Sequence, residues 1–314
     1  MGKTAFLFPG QGAQYVGMGK DLAEAYPEAG ALYDQADAIL GFSLSTICFE
    51  GPEDRLTATD VSQPAILVTS LAALAAMRTT EAGRAIQPQA AAGLSLGEYT
   101  ALVAAGALDF EDAVRVTHLR GQAMQEACEA KASGMVSLIG VDEAGAEKLC
   151  EAARQAGIIW PANYNCPGQV VVSGEQAACD TVVAIAESQG AQRAMPLAVA
   201  GGFHSPLMAS AREHLAPHLE AMRVEEPAFS VVANVTGDYY GGSADVADTL
   251  ARQVDGPVRW QQSMERLLAD GFDRFFEIGP GRVLTGLLKR ADRRVGRAAV
   301  TVGTVADIEK LAKA

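Results

Sequence analysis

The chain has 314 residues, 49% of them hydrophobic, and its 25 Lys and Arg against 38 Asp and Glu leave a formal charge of −13. That is enough chain to bury a large core, as one big domain or two modest ones, and the composition is globular. The acidic balance argues against a nucleic-acid partner, no charge-free apolar run is long enough to cross a bilayer, and Pro9 ends the first apolar run too early for a signal peptide. Five cysteines, with no C-x-x-C pair, read as reduced cytosolic thiols rather than a disulfide frame or a zinc site, and four histidines argue further against a metal enzyme.

In chain order, residues 3–8 read as a buried strand that runs into Pro9-Gly10-Gln11-Gly12. A nucleotide fingerprint fails there, because Tyr15 stands where G-x-G-x-x-G needs its third glycine. A phosphate loop fails too, since Gln14 and Asp21 stand where it needs glycine and a hydroxyl. Residues 21–38 are expected to be helical, residues 51–54 a turn, and residues 62–77 an apolar helix with Pro64 near its start. Residues 90–94 form a small apolar strand that ends on Ser95, and a helical pattern follows it. Gly93 and Gly97 flank the serine in G-x-S-x-G, the sharp strand-to-helix turn of a nucleophile elbow. The same five residues also fit a glycine-edged turn with Ser95 as N-cap.

Residues 109–128 form the next helix, with Asp109 as its cap. Arg120 falls on the apolar stripe, four after Val116 and four before Met124. A buried arginine needs a partner. Either a neighbouring carboxylate forms a structural ion pair with it, or its planar fork receives a carboxylate in a pocket.

From residue 133 the pattern becomes strand 135–141, helix 142–156, strands 158–162 and 169–173 around the loop 163–168, helix 175–189 and strand 192–199. That β-α-β-β-α-β order is ferredoxin-like and reads as an inserted small domain. His204 follows it in Gly201-Gly202-Phe203-His204-Ser205-Pro206, and it is the histidine outside a helical pattern. The remainder is helix 206–222 kinked or divided by Pro217, strand 229–235, helices 243–254 and 261–269, strand 272–278, helix 283–290, strand 298–302 and helix 305–313. Strands alternating with helices in both outer segments imply a mostly parallel sheet covered on both faces. The expected fold is α/β: a large α/β-hydrolase-like domain with a parallel central sheet, residues 1–132 and 202–314, and a ferredoxin-like small domain, residues 133–201. The basic run of residues 289–297 reads as solvated cations near a helix C-terminus, or as a docking patch for an acidic partner.

Six segments together resemble the malonyl-CoA:acyl carrier protein transacylases of type II fatty acid synthesis. They are Phe8-Pro9-Gly10-Gln11-Gly12-Ala13-Gln14, Gly93-Leu94-Ser95-Leu96-Gly97-Glu98-Tyr99, Arg120-Gly121-Gln122-Ala123-Met124-Gln125, residues 163–171, Gly202-Phe203-His204-Ser205 and Glu277-Ile278-Gly279-Pro280-Gly281. The resemblance implies Ser95 as nucleophile and His204 as its base. It implies an oxyanion hole from the backbone N–H groups of Gln11 and Leu96, and Arg120 on the malonyl carboxylate. It further implies a backbone carbonyl near Arg259 that orients His204, with Gln63, Asn163, Asn165 and Gln169 as pocket residues. Phe203 before the histidine goes with malonyl rather than methylmalonyl; Gly202, where alanine is common in the family, departs from the pattern. The implied partners are malonyl-CoA and acyl carrier protein, with no metal, no redox cofactor, no membrane and no nucleic acid, in a cytoplasmic monomer.

Overall fold

Strand β1 (Lys3–Phe8) lies at the centre of the larger sheet and alternates strictly. Phe6 and Phe8 pack on one face with Met18, Val68 and Leu102, while Ala5 and Leu7 pack on the other with Val232, Trp260 and Leu267. Both faces are therefore buried, as a parallel sheet between helical layers requires. The structure is a computed structural model that describes residues 2–313. The other strands are β2 (Ala90–Gly93), β3 (Ser133–Ile139), β4 (Ile159–Cys166), β5 (Gln169–Glu175), β6 (Arg193–Pro196), β7 (Ser230–Ala233), β8 (Asp238–Tyr239), β9 (Phe272–Ile278) and β10 (Val300–Val302).

The larger sheet runs β10-β9-β1-β2-β7-β8, parallel throughout except for the antiparallel edge strand β8. The smaller sheet runs β4-β5-β3-β6 and is antiparallel throughout. It has its own core, built on Val136, Leu138, Leu149, Val172 and Val182. It is also tied to the larger part, because Val258 N–H donates to Ala162 O at 2.8 Å and Tyr164 N–H donates to Val258 O at 2.9 Å. The two chain crossings lie side by side, with Gly202 N–H donating to Ser133 Oγ at 2.9 Å.

Several expected boundaries move, each for a local reason. The segment 21–38 is two helices, Lys20–Ala25 and Pro27–Leu40, because Pro27 starts a helix and holds Tyr26 extended. The apolar helix is Thr59–Thr79, with Pro64 inside it. Proline lacks the N–H that Asp60 O would accept, and His118 Nδ1 donates to that carbonyl instead, at 2.8 Å. This helix is long and apolar enough to cross a membrane, yet most of it is buried between neighbours, so its apolarity serves the core.

Pro217 does not divide its helix either; Ala209–Ala221 is continuous, and the carbonyl that Pro217 frees belongs to exposed Glu213, within reach of water. The expected loop 163–168 is mostly strand, since β4 continues to Cys166 through two register shifts and turns at Pro167-Gly168. Short helices at Leu44–Glu50, Glu53–Thr57, Glu81–Ala85 and Arg293–Ala298 were not expected, one or two turns being too short to show a period.

Candidate active site

β2 ends at Gly93 and the next helix, Gly97–Ala104, begins four residues later. Its approach leaves no room for side chains. A Cβ on Gly93 would lie 1.9 Å from Gly97 O, and one on Gly97 would lie 2.1 Å from Phe8 O. Ser95 between them has φ 51°, a left-handed conformation that costs a non-glycine residue about 1–3 kcal/mol. Two buried amides hold it there. Ser95 N–H donates to Asn234 Oδ1 at 2.6 Å, and Gln253 Nε2–H donates to Ser95 O at 2.8 Å.

His204 is the other non-glycine residue with positive φ, 56°, among the described residues. Its Nε2 lies 2.7 Å from Ser95 Oγ. Its Nδ1 faces two carbonyls, Gln253 O at 2.9 Å and Gly256 O at 3.2 Å. Carbonyls only accept, so Nδ1 carries the hydrogen and Nε2 is free to accept the serine proton. This corrects the expected role of Arg259, whose carbonyl is taken by Ser263 N–H at the start of the helix Trp260–Ala269. Burial, and secondarily the Arg120 charge, push the His204 pKa from 6.5 down to about 4, so the imidazole is neutral at pH 7.

Arg120 is 1% exposed on the helix Phe110–Ala130. It donates from Nη1 to Gln63 Oε1 at 2.6 Å and from Nη2 to Gln253 Oε1 at 2.9 Å and Ser95 Oγ at 3.1 Å. All three acceptors are neutral, and among the described residues no carboxylate lies within 4 Å of the guanidinium. The direct structural ion pair is therefore absent, and Arg120 Nε has no hydrogen-bond partner. A fixed cation beside the nucleophile, with only neutral contacts, is suited to receive an anion.

These groups open on a cavity of about 680 Å³ between the two sheets. Ser95, His204, Arg120, Gln11, Leu96, Phe203, Asn163 and Asn165 line it. The backbone N–H groups of Gln11 and Leu96 have no protein acceptor among the described residues. Two expected pocket residues are not on the wall. Gln63 stands behind Arg120 and fixes it, and Gln169 is turned away to accept from Arg290 Nη1 at 2.7 Å. The cations of residues 289–297 line no part of the cavity.

A nucleophile, a neutral imidazole, free N–H donors and a guanidinium on one cavity can carry out acyl transfer through a serine ester. A family model described as the acyl transferase domain matches residues 5–310. The chain belongs to the acyl transferase family. It is 44% identical over 302 residues to the malonyl CoA-acyl carrier protein transacylase of Bacillus subtilis, covering 96% of this chain and 94% of that one. It superposes with a TM-score of 0.93 and 37% identity on an acyl carrier protein S-malonyltransferase of Vibrio cholerae, covering 98% and 99% of the two chains. A malonyl-transacylase in complex with its type II PKS acyl-carrier protein matches with a TM-score of 0.92 and 37% identity, over 99% of each chain.

The reading of this acyl transferase from sequence missed Glu98, Asn234, Tyr240 and Gln253. Gln253 touches all three central groups: its carbonyl orients His204, its Nε2 holds Ser95 O, and its Oε1 holds Arg120. The signal was present in the pattern. Gln253 is a polar residue on the buried stripe of Val246, Leu250 and Val254, the same anomaly that singled out Arg120.

Proposed function

We propose that the chain transfers malonyl from malonyl-CoA to the phosphopantetheine thiol of acyl carrier protein, through a malonyl ester on Ser95, in type II fatty acid synthesis. His204 Nε2 takes the hydroxyl proton as Ser95 Oγ attacks the thioester carbonyl. The N–H groups of Gln11 and Leu96 hold the oxyanion. When the C–S bond breaks, imidazolium returns the proton to the CoA thiolate. The carrier thiol then gives its proton to His204 and attacks the ester, and as the ester C–O bond breaks the imidazolium passes that proton to Ser95 Oγ. Arg120 grips the free carboxylate of the malonyl group in both half-reactions, with Asn163, Asn165 and Phe203 shaping the pocket. The observation that carries the reading is the Arg120 guanidinium 3.1 Å from the same hydroxyl that bonds His204, with no carboxylate in direct contact among the described residues.

The large unit, residues 1–132 and 202–314, is assigned as α/β-hydrolase-like, supported by the elbow after β2 in a mainly parallel sheet. Residues 133–201 are assigned as a ferredoxin-like small domain, supported by the strand order β4-β5-β3-β6 with a helix after the first and the third strand. The five buried free cysteines support a cytoplasmic setting.

Intact-mass measurement after mixing with malonyl-CoA is expected to give one malonyl adduct, lost on adding holo carrier protein and absent in Ser95→Ala. Rapid CoA release that ignores the carrier would make the protein a thioester hydrolase instead.

A further inference from the structure

Glu98 sits in the first turn of the helix behind Ser95, and it is completely buried. Three donors reach its carboxylate. The Tyr240 hydroxyl donates to Oε1, while Gln253 Nε2–H at 2.7 Å and the Asn234 backbone N–H at 3.1 Å donate to Oε2. On the other side of the same Gln253 amide, Oε1 accepts from Arg120 Nη2 at 2.9 Å. The amide is thus oriented by charge at both ends, oxygen toward the cation and N–H toward the anion. A buried guanidinium and a buried carboxylate face each other across one side chain without touching.

We propose that Glu98 is the resident counter-charge of Arg120, a positioning residue that acts through Gln253 and limits how strongly the site prefers a carboxylate-bearing acyl group. This rests on the reading of Arg120 as the carboxylate receptor. In direct contact, the carboxylate would occupy the guanidinium fork and close the site. One amide away, it balances the buried charge while the fork stays open toward Ser95. The other titratable groups facing the guanidinium do not compete for this role. Burial keeps the Tyr99 hydroxyl protonated, with its pKa near 12, and keeps His204 neutral.

Glu98→Gln tests the charge with little change of shape. The new carbonyl can take both N–H donors, and the new amide can donate to the Tyr240 oxygen. The measurement is the rate of Ser95 acylation by malonyl-CoA and by acetyl-CoA at about pH 8, because burial lifts the Glu98 carboxyl to about 7 and it carries its charge above that. The expected result is a rise of about five-fold in the malonyl-to-acetyl ratio of kcat/KM, carried by a lower KM for malonyl-CoA. A purely structural role would slow both substrates alike, so an unchanged or lower ratio overturns the proposal. If Glu98→Gln does not fold, Tyr240→Phe withdraws one donor and favours the neutral carboxyl, and the ratio must again rise. Arg120→Ala run beside them separates the two levels. A wild-type ratio in that variant removes the carboxylate-receptor reading and the inference with it. A collapsed ratio there, with no change in Glu98→Gln, overturns the counter-charge alone.

Discussion

Modification of Ser95 by a neutral sulfonyl fluoride is expected to keep its full rate well below pH 6. The reaction needs a neutral His204, and burial with the Arg120 charge holds that imidazole's pKa near 4 rather than 6.5. At pH 5.5 an imidazole of pKa 4 is about 97% neutral and one of pKa 6.5 about 9%, so the two cases differ about ten-fold in rate. A neutral reagent is chosen because malonyl-CoA carries a carboxylate of its own that titrates in the same region. The assay follows loss of unmodified protein by mass between about pH 3 and 8, with circular dichroism to define where the fold persists. In Arg120→Ala the half-point should move up, since a repelling cation is gone, yet stay below 6.5 because burial is the larger cause. A half-point near 6.5 in the unsubstituted protein would refute the burial argument. An unmoved half-point in Arg120→Ala would refute the share assigned to the guanidinium.

Two further outcomes follow from the same geometry. Gly97→Ala puts a methyl 2.1 Å from Phe8 O, and is expected to cost about 2–3 kcal/mol in urea unfolding and to abolish Ser95 acylation; an unchanged midpoint would contradict the close approach. Stability against pH should reflect two opposed groups. Glu98, raised from 4.5 to about 7 chiefly by burial, contributes stability that is full below 4.5 and lost as pH rises to 7. His204, lowered from 6.5 to about 4, contributes stability present above 6.5 and lost as pH falls to 4. Each is worth about 3 kcal/mol, so they nearly cancel, and Glu98→Gln should leave a protein that weakens by up to about 3 kcal/mol between pH 6.5 and 4. A flat urea-midpoint profile in that variant would show that the two groups are not opposed.

Much of the site was legible in the chain because its signals are local. Two glycines around Ser95, an arginine on an apolar stripe, and a histidine in a glycine-rich junction all mark themselves within a few residues. β1 was placed correctly by its buried apolar run, and the bounds expected for β9 also match. What could not be read depends on which distant segments meet. The carbonyl on His204 comes from Gln253, not Arg259, because the end of the helix Val246–Asp255 is what abuts the imidazole. Gln169 turns to Arg290 across 121 residues of chain. Pro64 stays inside its helix because a histidine 54 positions on, His118, serves the carbonyl that the proline abandons. Contacts of this kind leave no periodicity in the sequence.

The bond from Gly202 N–H to Ser133 Oγ clamps the two chain crossings of the four-stranded unit into one stalk, beside the backbone bridge that Val258 makes to Ala162 and Tyr164. Arg120 lies on the helix that feeds the stalk from one side, and His204 is two residues past it on the other, whereas Ser95 is rooted in the six-stranded sheet. Cation and base thus flank the same pair of crossings, while the nucleophile stands apart from them. Exchanging that unit for a foreign one would preserve chemistry only if the replacement kept the stalk's two threads in register.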